Sequence, residues 1–248
     1  MVLLIDVGNS NICFAFKKDD KVYNNFRIKS FKNKSCDEFY ILIKQFINEN
    51  IDDAIISSVV PVITSAMVQM LKKYYNIDPK VIGNSLKIGI NIIADDPKTV
   101  GADLICDVSG ASCIYDEGLI IDLGTASKFI YFKNKSLLGV SIAPGVVIST
   151  NAMIENAALL PNFELIAPKK VLNSSTIPCM HSGVIYGYAS MVDGMIKRIK
   201  KELNNPSLKV IATGGLIKLI SSFCEEKFDL IDPLLTLKGV ANIYKKNI

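Results

Sequence analysis

The sequence predicts an α/β chain built as two duplicated lobes, each a mixed sheet flanked by helices. Two observations carry this. A short phrase recurs: Leu3-Leu4-Ile5-Asp6-Val7-Gly8-Asn9-Ser10 runs into Asn11-Ile12-Cys13-Phe14-Ala15-Phe16. At an offset of 116 residues, Leu119-Ile120-Ile121-Asp122-Leu123-Gly124-Thr125-Ala126 runs into Ser127-Lys128-Phe129-Ile130-Tyr131-Phe132. Each is an apolar strand ending in an acid and a glycine turn, then a second strand and a polar turn, which suggests duplication. The second observation is helical periodicity after the strands in both halves, which indicates α/β layers. The lobes are placed at residues 1–115 and 116–248.

After the first hairpin, Phe39, Leu42, Ile43, Phe46 and Ile47 recur at the spacing of one helix face. A second helix begins at Pro61, a residue suited to a first helical turn, and carries Ile63, Met67, Met70, Leu71 and Tyr74. In the second half Tyr188, Met191, Val192, Met195, Ile196, Ile199 and Leu203 form a long apolar stripe, read as core. Short β-like runs lie between, at 54–58, 80–82, 137–142 and 209–212.

Composition excludes several classes. The 248 residues are 50% hydrophobic and 21% charged, as in ordinary globular chains and unlike disordered ones. Residues 1–114 hold 13 basic and 13 acidic groups and residues 115–248 hold 15 and 11, so the second half supplies the whole net +4. No strongly basic stripe or nucleic-acid module stands out, so no nucleic-acid partner is expected. Six cysteines without a Cys-x-x-Cys pair, and one histidine, make a zinc site improbable and fit a reducing compartment. Val2–Ile5 is too short for the apolar core of a signal peptide. The apolar-looking stretch 54–71 contains serines, Pro61 and Gln69, so no membrane span is expected and the chain reads as cytoplasmic.

Four motifs suit chemistry. A strand ending in Asp, then Gly and small polar residues, can wrap backbone N–H groups around phosphate oxygens, with the acid beside a hydrated cation. The same pattern also occurs in purely structural hairpins. Two such loops, at Asp6-Val7-Gly8 and Asp122-Leu123-Gly124, are how an actin-like or sugar-kinase-like fold grips ATP. Val210-Ile211-Ala212-Thr213-Gly214-Gly215 leads a strand into a turn and an expected helix whose N-terminus suits a nucleotide, or is a plain connection. In Gly101-Ala102-Asp103 the acid sits in a first helical turn. There it either favours the helix dipole or orients and deprotonates an acceptor hydroxyl. Neither Gly-x-Gly-x-x-Gly nor a P-loop is present. His181 beside Ser182, without a nucleophile elbow, reads as structural, so a hydrolase is not expected.

Taken in order, these phrases resemble the type III pantothenate kinases. The matching stretches are 6–10, Ile56-Ser57-Ser58-Val59-Val60-Pro61, 101–103, Asp122-Leu123-Gly124-Thr125-Ala126, Ile142-Ala143-Pro144-Gly145, 157–161, 212–215 and 232–237. They cover nearly the whole chain. The resemblance implies the actin-like/sugar-kinase ATPase fold and ATP-dependent phosphorylation of pantothenate to 4′-phosphopantothenate, the first step of coenzyme A biosynthesis. It implies a first ATP phosphate loop at Asp6, Val7, Gly8, Asn9, Ser10, Asn11, Ile12 and Cys13, with Asp6 near magnesium, and an ATP contact at Thr125. Asp103 would be the catalytic base toward the pantothenate hydroxyl, with Gly101, Ala102, Leu104 and Thr176 lining the acceptor site. Asp122 would hold a monovalent cation, potassium or ammonium, and the protein would be a homodimer. The chain departs from the family's pattern at Leu104, where arginine is usual, at Ala94, where a tyrosine is usual, and at Ser127-Lys128, where a threonine pair is usual. Another small hydroxyl acceptor, or a nucleotide-binding regulator that does not turn over, are the alternatives.

Overall fold

A computed structural model describes residues 1–83 and 85–248. In chain order the elements are β1 (Val2–Val7), β2 (Asn11–Lys18), β3 (Lys21–Lys29), α1 (Cys36–Ile43), β4 (Asp53–Ser58), α2 (Pro61–Tyr75), β5 (Lys80–Val81), β6 (Asn91–Ile92) and α3 (Ala102–Ala111). There follow β7 (Glu117–Leu123), β8 (Ala126–Lys133), β9 (Ser136–Pro144), α4 (Val146–Asn156), α5 (Thr176–Glu202), β10 (Val210–Thr213), α6 (Ile217–Ser221), β11 (Leu230–Ile231) and α7 (Leu235–Lys245).

The chain forms two compact units, one of residues 1–116, 134–138 and 234–248, the other of 117–133 and 139–233. These units differ from a division at 115/116 in two segments, since 134–138 and the C-terminal 234–248 both belong to the first unit. Two glycines explain the place of 234–248 there. A Cβ on Gly239 of α7 would stand 1.8 Å from the Cys106 carbonyl oxygen of α3, and one on Gly110 would stand 2.6 Å from the Leu235 carbonyl oxygen. Only bare backbone allows helices this close. Leu235, Leu237, Val240 and Ile243 of α7 are buried.

The two sheets repeat one plan. In the first unit the strand order is β3-β2-β1-β4-β5, with β1 antiparallel to β2 and parallel to β4, and β4 parallel to β5. In the second the corresponding order is β9-β8-β7-β10-β11, with β7 antiparallel to β8 and parallel to β10, and β10 parallel to β11. This is the duplication that the recurring phrase announces. Strands β1 and β7, third in their sheets, are almost wholly apolar up to the acid, as strands covered on both faces must be. Leu3, Ile5, Phe14, Ile56 and Met67 pack the first core; Leu119, Ile121, Phe129, Ile185 and Val192 pack the second.

Helix ends follow local chemistry. Ser35 and Glu38 form a reciprocal capping box on α1, which stops at Ile43 and passes into a single 3₁₀ turn, short of the stripe's Ile47. Pro61 opens α2, and Asn76 closes it in the left-handed conformation at φ 54°. Helix α5 begins at Thr176, a dozen residues before the stripe first read at Tyr188. Pro178, Gly183 and Gly187 interrupt the apolar periodicity over its early turns.

Candidate functional site

In the first unit the β1–β2 connection forms a tight loop. The Gly8 N–H donates to the Asn11 carbonyl at 3.0 Å, and Ser30 Oγ donates to the Gly8 carbonyl at 2.6 Å. A Cβ on Gly8 would lie 3.1 Å from the Asn11 carbonyl oxygen, so a side chain there is crowded. Asn9, Ser10 and Asn11 are exposed at the tip, while Val7 and Ile12 anchor its base in the core. Asp6 ends β1 half-buried and accepts a 2.9 Å hydrogen bond from Ser57 Oγ of the neighbouring parallel strand β4.

Asp103 belongs to the same neighbourhood. Gly101 caps α3 in an extended conformation, and Asp103 folds back over it, with Oδ1 accepting from the Leu104 N–H at 3.0 Å. A Cβ on Gly101 would collide with that carboxylate at 2.4 Å, which is the physical reason for glycine two residues ahead of this acid. Ala102 and Leu104 are buried on either side, leaving Asp103 as the half-buried member of the turn. Leu104 therefore serves α3 packing in the position where the resemblance has arginine, and Ala94 lies exposed.

Cys106 ties these groups together. Its fully buried thiol is pushed well above its ordinary value of 9.0, by burial first and then by the Asp6 carboxylate, with Asp107 and Asp103 adding to it. A hydrogen bond with Ser57 opposes the shift. Such a thiol stays protonated and unreactive. Asp6 and Asp103 thus both act on one buried point, although 97 residues separate them in sequence. Sequence reasoning missed Ser57 and Cys106 as site residues. The signal for Ser57 was a hydroxyl at the end of the apolar run Ala54-Ile55-Ile56.

The second unit carries the companion loop. Asp122 ends β7 and Thr125 stands half-buried at the turn. Three glycines press backbone onto it. A Cβ on Gly124 would touch both Asp122 carboxylate oxygens at 3.5 and 3.7 Å. One on Gly145, the cap of α4, would meet the Thr125 carbonyl oxygen at 2.2 Å, and one on Gly214 the Leu123 backbone at 2.6 Å. Gly214 also takes φ +99°, a conformation that favours glycine. So the motifs at 122–126, 142–145 and 212–215 converge in space, as their separate appearance in the sequence did not reveal. Thr176 lies apart from them in the chain, exposed as the first residue of α5. His181 is structural: its ring packs edge-on to Phe163, and Nε2 contacts the Glu164 carbonyl at 2.8 Å.

Lys128 changes the reading of Asp122. Its Nζ lies 2.5 Å from Asp122 Oδ2, and each side chain is only 11% exposed. The carboxylate expected to hold a potassium or ammonium ion already holds an ammonium group from its own chain. Asp6, half-buried at the end of β1, is an oxygen donor of the kind that suits magnesium, which binds through one or two carboxylates plus substrate phosphates. No cluster of three or more metal-ligating His, Cys, Asp or Glu side chains occurs among the described residues. All six cysteines are free thiols.

The sequence profile of the type III pantothenate kinases matches residues 2–198. Over the full length of both chains, the sequence is 41% identical to the type III pantothenate kinase of Halalkalibacterium halodurans and 43% identical to that of Acholeplasma laidlawii. The chain belongs to this family. Among solved structures, a 2-dehydro-3-deoxygalactonokinase protein from Sinorhizobium meliloti superimposes with a TM-score of 0.63 at 11% identity, covering 99% of this chain and 96% of that one. A Baf family transcriptional activator from Campylobacter jejuni gives 0.60 at 21% identity, covering 99% and 98%. These likenesses show that the chain has the fold of those structures.

Proposed function

We propose that this chain transfers the γ-phosphoryl group of ATP to the primary hydroxyl of pantothenate, forming 4′-phosphopantothenate at the start of coenzyme A biosynthesis. The observation that carries the reading is that Asp6 and Asp103 both raise the buried Cys106 thiol, with Asp6 bonded to Ser57, in a chain of this family. Phosphoryl transfer asks for alignment and charge neutralisation more than for covalent help from protein. Backbone N–H groups of residues 6–13 would hold phosphate oxygens, and Asp6 would hold the magnesium that accompanies ATP. Magnesium, when bound, neutralises charge on the phosphates. Asp103 orients the acceptor hydroxyl and takes its proton, its carboxylate fixed by the Leu104 N–H. Gly101 and Ala102 line the acceptor side beside Asp103, with Leu104 packed behind them in α3.

A homodimer is part of the proposal. Helices α4 and α5 of the second unit flank a cavity of about 430 Å³ lined by Met153, Met180, Val184, Tyr188 and Met191. Val147, Ile148 and Ile177 on the same helices are exposed. An apolar face of this kind supports self-association. No helix among the described residues is long and apolar enough to cross a membrane, and the proposed biosynthetic role places the enzyme in the cytoplasm.

The test is direct. Purified protein with ATP, magnesium and pantothenate should give phosphopantothenate by mass spectrometry, and Asp103→Asn should cut the rate about 10²–10⁴-fold while leaving ATP binding in place. ATP binding without product from pantothenate would overturn the reading. Product from another hydroxyl compound in a panel would reassign the acceptor.

A further inference from the structure

Asp122 and Lys128 are directly opposed residues of the antiparallel β7–β8 pair. Opposed residues in such a ladder project from the same face with adjacent Cβ atoms. The ion pair is therefore built into the hairpin register and owes nothing to a chance surface rotamer. The loop backbone closes over the carboxylate at Gly124, and the turns at Gly145 and Gly214 pack against that loop. Ser127 Oγ, next to Lys128, donates to the Pro144 carbonyl at 3.3 Å and ties the β8 end to the α4 turn.

A second monovalent cation does not fit this carboxylate. It would have to share a nearly buried oxygen pair with an ammonium group 2.5 Å away, and like charges at one such site disfavour each other. A lysine ammonium carries the same single charge as an ammonium ion and offers three N–H donors on a tethered stem. We propose that the Lys128 side chain is the built-in monovalent cation of the Asp122 loop, so that this protein neither needs nor binds potassium or ammonium there. The proposal rests on the kinase reading for its consequence in catalysis, but its physical core is a property of the loop alone.

The experiment uses full-length protein in tetramethylammonium chloride, with potassium or ammonium chloride substituted at constant ionic strength. Three quantities are followed: melting temperature without substrates, ATP affinity by calorimetry, and the pantothenate phosphorylation rate. Wild type should be flat across the series in each. Lys128→Thr strips the ammonium from a buried carboxylate, so its melting temperature and ATP affinity should be low in tetramethylammonium. Potassium should restore ATP affinity by about tenfold, the scale of one charge-assisted contact. Lys128→Arg keeps the charge and should stay insensitive even if the threonine variant folds poorly. A wild-type ATP affinity or melting temperature that climbs with potassium overturns the proposal, as does a folded Lys128→Thr protein that ignores potassium. Should no phosphopantothenate form under any salt, the kinase reading fails, while the melting and ATP arms still decide the role of Lys128.

Discussion

The two Asp-x-Gly hairpins are copies in sequence and opposites in electrostatics. Asp6 faces Cys13 across the β1–β2 ladder and takes a hydroxyl from Ser57. Asp122 faces Lys128 and takes an ammonium. The turns differ as well: Val7 pairs with Ile12, whereas Leu123 pairs with Ser127, so the second connection is one residue shorter. A single cross-strand position thus decides what a carboxylate at the end of a strand can do. Opposite Asp6 stands a cysteine, while opposite Asp122 stands a lysine whose ammonium pairs with the carboxylate within the protein.

Exchanging that one position gives the largest expected effect. Cys13→Lys would place an ammonium across from Asp6 as Lys128 stands across from Asp122. Phosphorylation should then fall by about 10²-fold or more, with half-saturating magnesium shifted upward, because the charge proposed to orient the metal is cancelled. Asp6→Asn should reproduce the loss. A Cys13→Lys enzyme with an unchanged magnesium requirement would break the comparison.

The loops should also differ in how much a methyl group disturbs them. Gly145→Ala drives a Cβ into the Thr125 carbonyl at 2.2 Å and Gly214→Ala into the Leu123 backbone at 2.6 Å, whereas Gly8→Ala meets one carbonyl at 3.1 Å. The first two should cost about 1–3 kcal/mol each, lowering the melting temperature by roughly 2–12 °C for a chain of this length. Gly8→Ala should cost less than about 1 kcal/mol. Thermal unfolding in one buffer ranks the three, and a Gly8→Ala protein less stable than Gly145→Ala would reverse the picture of which loop is braced.

Most of this architecture was legible because its signals are local. The repeated strand–acid–glycine phrase, the proline at the head of α2 and the glycine before Asp103 each state their geometry within a few residues. What was not legible depends on partners distant in the chain. Nothing in residues 235–245 says that α7 returns to the first unit; that follows from Gly110 and Gly239, 129 positions apart, matching across a helix pair. Ser57 and Cys106 read as ordinary strand and helix residues until the fold brings them to Asp6. Lys128 was visible as a departure from the family pattern, but its partner became clear only once the hairpin register set it opposite Asp122.

A third carboxylate sharpens the contrast at the smallest scale. Asp53 of β4 is also answered by a lysine, Lys80 Nζ at 2.5 Å, and accepts a 2.9 Å hydrogen bond from the Tyr244 hydroxyl of α7. Burial alone would raise its carboxyl, but the bonds from Lys80 and Tyr244 prevail and hold it below the ordinary 3.8. The Tyr244 hydroxyl is in turn pushed up to about 12, by burial first and then by this bond. A carboxyl depressed by folding stabilises the native state above its unfolded value, and the gain is lost as pH falls through the folded value. The pair is partly open to water, so its worth is about 0.5–1 kcal/mol, a few degrees of melting temperature. Asp53→Asn should therefore melt below wild type at neutral pH, with the gap closing as the pH drops under 3.8, and phosphorylation at neutral pH should be unaffected. A lysine-paired carboxylate with no nucleotide loop beside it would then be purely structural. A gap that persists unchanged in acid would mean that the asparagine acts through packing against α7, and that the Lys80 pair contributes nothing measurable.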